Sequence, residues 1–268
     1  IGMLLGVLAA LALLLWGGWE LYHRQGTPLP VLMYHHFEEY GPCSADTVVS
    51  ADRFREQLLA LKAAGYTAVD PFEIADFVEK GVPLPDKPVL ITMDDGYVSN
   101  LEIAAPILEE CGMKATVFAV GATVGRTTYP GSETVLDPPR FSWEQVRPWV
   151  EKGVLCVQSH TYEMHHRSGG EWDRDGVLQK PGESERDYCV ALRADVRQAE
   201  QGLKDGLGVP LIAVAFPYGL WSCTAVEEFQ QAGVKLTFTT QYGCSCIRQG
   251  QADTMQLLDR WGIADQIT

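Results

Sequence analysis

The stretch PVLITMDDG, residues 88–96, decides how the chain is read. Its first six residues carry no charge and include three β-branched side chains, the composition of a strand buried on both faces. It then switches within one residue to two carboxylates and a glycine. Similar apolar runs recur on both sides of it: residues 30–35 (PVLMYH), 66–70 (YTAVD), 114–120 (KATVFAV), 154–159 (VLCVQS), 211–216 (LIAVAF) and 235–239 (KLTFT). Between them lie stretches with apolar residues at helical spacing: 51–64, 71–80, 100–111, 142–152, 185–203 and 222–232. Gly65, Gly112 and Gly153 follow three of these and predict helix stops. Strands alternating with helices predict parallel pairing through helical crossovers. Seven or so such units in about 240 residues fit a closed or nearly closed α/β barrel. An open doubly wound sheet is the alternative, but no glycine-rich phosphate loop follows the first strand.

The chain has 268 residues, 46% hydrophobic and 21% charged, an ordinary globular composition. Its formal net charge of −14 opposes phosphate binding, so a nucleic-acid partner is not expected. No charged side chain occurs in the first nineteen residues. Trp16, Trp19 and Tyr22 cluster at one end of that run, as at a membrane interface. Residues 1–22 are therefore expected to form a transmembrane or signal-anchor helix and 23–30 a linker. Residues 31–268 are expected to be one domain, held outside the cytoplasm, or secreted if the leader is cleaved. A monomer is expected. Seven cysteines without a C-x-x-C pair exclude a zinc ribbon. Cys111 and Cys156 read as buried thiols, and one disulfide near Cys223, Cys244 and Cys246 is the other option.

In α/β barrels the chemistry sits at the carboxyl ends of the strands. Those ends here are His35-His36, Asp94-Asp95-Gly96, His160-Thr161 and Pro217-Tyr218-Gly219. Five of the six histidines fall in two clusters at such ends. His160 and His165, five residues apart, are too far apart to share one helical face, but a loop can bring both onto one ion. Two histidines and a carboxylate suit zinc or another divalent transition metal and leave a position open for water. Of the adjacent aspartates, one can bind the ion while the other faces that water as a base.

Thr92-Met93-Asp94-Asp95-Gly96 resembles the T-F-D-D-G motif of the polysaccharide deacetylases, the NodB-homology group or carbohydrate esterase family 4. His160-Thr161 with His165 resembles that family's second motif, and Phe216-Pro217-Tyr218-Gly219 its third, R-x-P-Y-G. Order and separations agree from about residue 29 to residue 263. The resemblance implies a distorted (β/α)₇ barrel and metal-dependent removal of N-acetyl groups from a glycan. It implies Asp94 as general base and Asp95, His160 and His165 as ligands of a divalent metal, zinc first. The backbone N–H of Tyr218, beside Pro217, would hold the oxyanion.

Two positions depart from the family pattern. Ala215 stands where the third motif has an arginine that charges the base, so another group must do so. No histidine follows His166, and Leu257-Leu258-Asp259-Arg260 occupies the place of the usual L-x-H segment. In the branch resembling the biofilm poly-N-acetylglucosamine deacetylases the acid histidine comes from the first strand. Leu32-Met33-Tyr34-His35 looks like that version and implies His35 as general acid, with His36 a bystander. The implied substrates, in order, are a biofilm poly-N-acetylglucosamine, peptidoglycan and acetylated xylan. Residues 168–187, with Trp172 and Tyr188, and residues 37–50 could wall the substrate on either side. The rival readings are an inactive glycan-binding wall protein and a metal hydrolase of a small amide or ester.

Overall fold

A computed structural model describes residues 26–43, 45–167 and 174–265. The expected anchor over 1–22, the first three residues of the expected linker, and Trp172 lie outside the described residues. Among the described residues no helix is long and apolar enough to cross a membrane.

All seven predicted strands form. They are β2 (Val31–Tyr34), β5 (Thr67–Val69), β6 (Pro88–Asp95), β7 (Ala115–Ala119), β8 (Leu155–Ser159), β9 (Ala213–Ala215) and β10 (Leu236–Phe238). They join in one parallel sheet of order β10-β9-β8-β7-β6-β2, with β5 also paired to β6. β12 (Trp261–Gly262) is an eighth strand. At two residues it is too short to show a period in sequence, and it pairs with β2. Just before it, Leu258 makes an isolated parallel bridge to Phe238 at the opposite edge. The sheet thus curls back on itself as an α/β half-barrel, with one bridge where a complete (β/α)₇ ring would have a ladder.

Two further pairings had no counterpart in the predicted elements. β1 (Thr27–Leu29) runs antiparallel to β11 (Ser245–Ile247), and β3 (His36–Glu38) runs parallel to β4 (Val48–Ser50). Leu29 is fully buried, so residues 27–29 belong to the folded unit and not to a linker.

Helices lie where glycine stops and caps predict them. α1 spans Ala51–Ala63, α2 Pro71–Lys80, α3 Ala105–Cys111, α4 Trp143–Glu151, α5 Glu185–Leu207 and α6 Cys223–Gln231. The start of α2 is a capping box. Asp70 accepts the N–H groups of Phe72 and Glu73, and Glu73 accepts that of Asp70. The predicted helix over 100–111 opens instead as a π-helical turn, Asn100–Ala104. Pro106 lacks the N–H that an α-helical ladder needs at that point. α5 outruns its predicted end by four residues and stops at Gly208 with φ 72°.

β6 is buried at all eight positions, and strand alternation splits its side chains between two apolar clusters. Ile91 and Met93 face the cluster shared with the helices, whereas Leu90 faces a smaller one with Phe118, Ala213, Ala215, Phe238 and Leu258. Thr92 and Asp94 share the parity of Leu90, so Asp94 stands at the upper end of the inner column.

Candidate active site

Asp94 is 1% exposed, and the inner column supplies its partner. Arg260 sends two parallel hydrogen bonds, both 2.8 Å, to the Asp94 oxygens. Arg260 is itself fully buried, with Nε donating to the Thr239 carbonyl at 2.7 Å. Burial pushes the Asp94 carboxyl up, but the Arg260 guanidinium outweighs it and holds the group below its ordinary value. Arg260 was not among the sequence-derived site residues. It lies in the Leu257–Arg260 segment, where a histidine was sought, and does the job expected of an arginine at 215. The bidentate fork explains the residue type, since lysine cannot match it.

Asp95 points differently from Asp94. Its φ is 74°, one of four positive values at non-glycine residues among those described, and Gly96 continues the turn at the same φ. Oδ2 accepts the Tyr97 hydroxyl at 2.9 Å. Oδ1 faces His165 Nε2 at 3.2 Å and His160 Nε2 at 3.7 Å. The approach from His165 lacks hydrogen-bond geometry, so Oδ1 is buried without a hydrogen-bond partner. Burial pushes Asp95 up, and the two imidazoles bring it well below the usual carboxylate value. Burial pushes His160 down to about 4, which keeps its ring neutral and a lone pair free.

The tautomer of His160 follows from its other nitrogen. Nδ1 lies 2.7 Å from the Ala215 carbonyl, which only accepts, so Nδ1 carries the proton and Nε2 is the open donor atom. The ligand atoms of Asp95, His160 and His165 lie within 4.8 Å of one another. Tetrahedral zinc with bonds of about 2.0–2.1 Å spaces its ligand atoms about 3.3 Å apart, close to the separations found. An orphaned buried oxygen facing two imidazole nitrogens is a donor set that fits a divalent cation.

His35 follows β2 and lines a cleft of about 330 Å³ with Met33, Asp46, Tyr242 and Gly262. Asn100 Nδ2 donates to its backbone carbonyl at 2.8 Å, which fixes the turn and leaves the ring to the cleft. His36 is placed apart from the metal-ligand set, with Nδ1 2.9 Å from Ser99 Oγ and its ring 5.2 Å from that of Tyr97.

Pro217 is buried, and Tyr218 is 40% exposed with φ 58°. The Tyr218 ring centroid is 4.9 Å from that of His165, and its hydroxyl lies 3.4 Å from His165 Nδ1. Tyr218 therefore reaches the cation-ligand set through its side chain. Thr161 also has positive φ, 69°. Such values cost energy and persist where surrounding contacts enforce them, which is characteristic of functional sites. Tyr188, expected to stack on a ligand, is instead 2% exposed. Its hydroxyl donates to the Val177 carbonyl at 2.6 Å and lies 2.7 Å from Ser222 Oγ. All seven cysteines are free, Cys111 buried and Cys156 half-buried.

A family model described as "Polysaccharide deacetylase" matches residues 81–237. Among curated proteins, a poly-beta-1,6-N-acetyl-D-glucosamine N-deacetylase from Escherichia coli K12 is 26% identical over 228 residues, 79% of this chain and 34% of that one. A protein of the same name from Staphylococcus epidermidis is 25% identical over 196 residues, 72% of this chain and 61% of that one. The chain thus spans about a third of the first relative's length and under two thirds of the second's. Among solved structures, IcaB from Ammonifex degensii aligns with a TM-score of 0.71 at 28% identity, covering 90% of this chain and 94% of that one. A de-N-acetylase from Aggregatibacter actinomycetemcomitans shares the fold, with a TM-score of 0.77 at 23% identity, covering 90% and 97%.

Proposed function

The chain belongs to the polysaccharide deacetylase family, and on that premise we propose that it hydrolyses N-acetyl groups from a polysaccharide of N-acetylglucosamine, releasing acetate and leaving free amines. One observation carries this reading: an ionised, arginine-held Asp94 stands directly beside a convergent Asp95, His160 and His165 set. The names of the two curated relatives favour a poly-β-1,6-linked polymer over peptidoglycan.

A divalent metal, zinc first, held by Asp95 Oδ1 and the Nε2 atoms of His160 and His165, supplies a Lewis acid for the acetamide carbonyl and for water. Asp94 accepts the proton of the attacking water, and Arg260 keeps the base ionised until then. The Tyr218 N–H, turned by the positive φ at that residue, donates to the oxygen that becomes negative as the carbonyl is attacked. His35, in the cleft wall, gives its proton to the departing sugar nitrogen, so that the chain supplies an acid as well as a base. Two of these groups are placed by strands that are neighbours in the sheet, β2 and β6.

We place the catalytic unit outside the cytoplasm, tethered or led there by residues 1–22. The support is the apolar composition of that stretch, whose first nineteen residues carry no charged side chain.

Acetate release by the full chain from poly-β-1,6-N-acetylglucosamine and its oligomers tests the reading. Release that stops on chelation and returns with zinc is expected. Glycan affinity without release would favour an inactive binding protein. Activity on monomers equal to that on oligomers would favour a small-amide hydrolase.

A further inference from the structure

Helix α5 carries an apolar stripe of Tyr188, Leu192, Val196, Ala199 and Leu203, all buried against the sheet. One carboxylate, Asp195, sits within it, 5% exposed. No cation lies within ion-pair distance of it among the described residues; Arg174, the nearby arginine, is paired with Glu183 at 2.6 Å. A buried charge without a counter-ion is costly and calls for a compensating arrangement.

Both of its oxygens are used, on successive residues of one loop. Asp195 Oδ1 accepts the N–H of Tyr162 at 2.9 Å, and Oδ2 accepts that of Glu163 at 2.7 Å. These two residues are the middle pair of the four between His160 and His165. The opposite side of the span is held as well, by Gly121 N–H on the Thr161 carbonyl at 3.0 Å and Ala122 N–H on the Tyr162 carbonyl at 2.8 Å. The Met164 N–H donates to Thr161 Oγ1 at 3.2 Å. Between these clamps the backbone takes the positive φ of Thr161 and returns His165 toward the ring of His160, with centroids 4.9 Å apart.

We propose that Asp195 is a positioning residue for the metal centre: its two backbone hydrogen bonds set the His160–His165 span so that both Nε2 atoms face Asp95 Oδ1. The inference rests on the metal-centre reading above. Three features support it over a role in general stability. The carboxylate is spent wholly on this span. It interrupts an otherwise apolar stripe, where leucine would pack at less cost. Burial pushes it up to about 6, against the two N–H groups that pull it down, so it is held at an energetic disadvantage. Serine and asparagine each offer one acceptor oxygen where the aspartate offers two, so neither can hold the two N–H groups on separate oxygens as Asp195 does.

The test is metal affinity, measured on the metal-free full chain by competition with a chromogenic zinc chelator, together with circular dichroism of the same samples. Asp195→Asn is expected to keep the fold and to weaken zinc binding about 10–100-fold, the usual effect of removing a group that orients metal ligands. The visible spectrum of the cobalt-substituted variant is expected to shift, which a purely structural residue would not cause. Asp195→Ser, which removes the buried charge and keeps one acceptor, serves if the first variant does not fold, with the same expected loss. Zinc affinity within twofold of the parent in either folded variant overturns the proposal. If neither variant folds, Asp195 is a general structural requirement and the proposal is likewise overturned. A parent chain that takes up no zinc overturns the metal-centre reading itself, and this inference with it.

Discussion

Replacing Arg260 with methionine would leave the Asp94 carboxylate buried and alone. The pair is at most 1% exposed on either side, and its two 2.8 Å hydrogen bonds are joined by a third from Arg260 to the Thr239 carbonyl. Removing one partner of a buried ion pair costs about 3–5 kcal/mol. Against a typical total of about 5–15 kcal/mol the protein still folds, with Tm lower by roughly 6–20 °C at about 2–4 °C per kcal/mol. The pH dependence carries the sharper sign. With Arg260 present the folded Asp94 pKa lies below its unfolded value. The pair's stabilisation is therefore complete above the ordinary carboxylate pKa and lost as pH falls through the folded value. Without Arg260, burial dominates, and the Asp94 pKa moves up. A base works only when ionised, so the acidic limb of kcat/KM moves to higher pH by the same amount. The assay is acetate release across pH 4–9 at saturating zinc, with Tm measured at each pH. A folded, zinc-loaded Arg260→Met chain whose acidic limb stays in place would refute the assignment of Asp94 as a base tuned by Arg260.

His35→Gln is expected to lower kcat about 10²–10⁴-fold at unchanged zinc content; a loss under tenfold would remove His35 from the acid role. His165→Ala is expected to lose most bound zinc, measured by elemental analysis, and the activity with it; full zinc retention would break the ligand assignment. Asp70→Ala uncaps α2 and frees Lys114 from its 2.8 Å contact, so urea unfolding should show a loss of about 1–2 kcal/mol with acetate release unchanged.

Much of this site could be read in the chain because strand periodicity and ligand chemistry coincide at the same positions. An apolar run that ends in Asp-Asp-Gly or His-Thr announces both a buried strand and a reactive end, so Asp94, Asp95, His160 and His165 were found together. The residues that act on those groups announce nothing. The Ala215 contribution to His160 is a backbone carbonyl and is independent of side-chain identity. Tyr97 and Asp195 are single polar residues in helix-forming or turn contexts, and only the fold shows that they face Asp95 and the span 160–165. β12 could not be read either, because two residues have no period, and it brings Arg260 home only through long-range pairing with β2. Residue 188 fails for the opposite reason: an aromatic in a polar stretch looks like a sugar platform until its hydroxyl is seen bonded inside the core.

The alanine at 215 and the arginine at 260 are best understood as one choice. Ala215 lies with Phe118 in the inner apolar cluster, and the Arg260 guanidinium sits 5.9 Å from the Phe118 ring. Both positions therefore open on the same small volume below Asp94, which pairs with Phe118 across the sheet. That volume has one carboxylate to offer, since Asp95 is turned away by its positive φ and engaged by Tyr97 and the imidazoles. Two guanidiniums there would leave one buried cation without a counter-ion, at a cost of several kcal/mol. A chain that brings its arginine in on the segment before β12 must keep 215 small. The missing motif arginine and the missing carboxyl-terminal histidine then have one physical origin: the segment where a histidine was sought delivers the partner of Asp94, and the proposed mechanism draws its acid from the end of β2 instead.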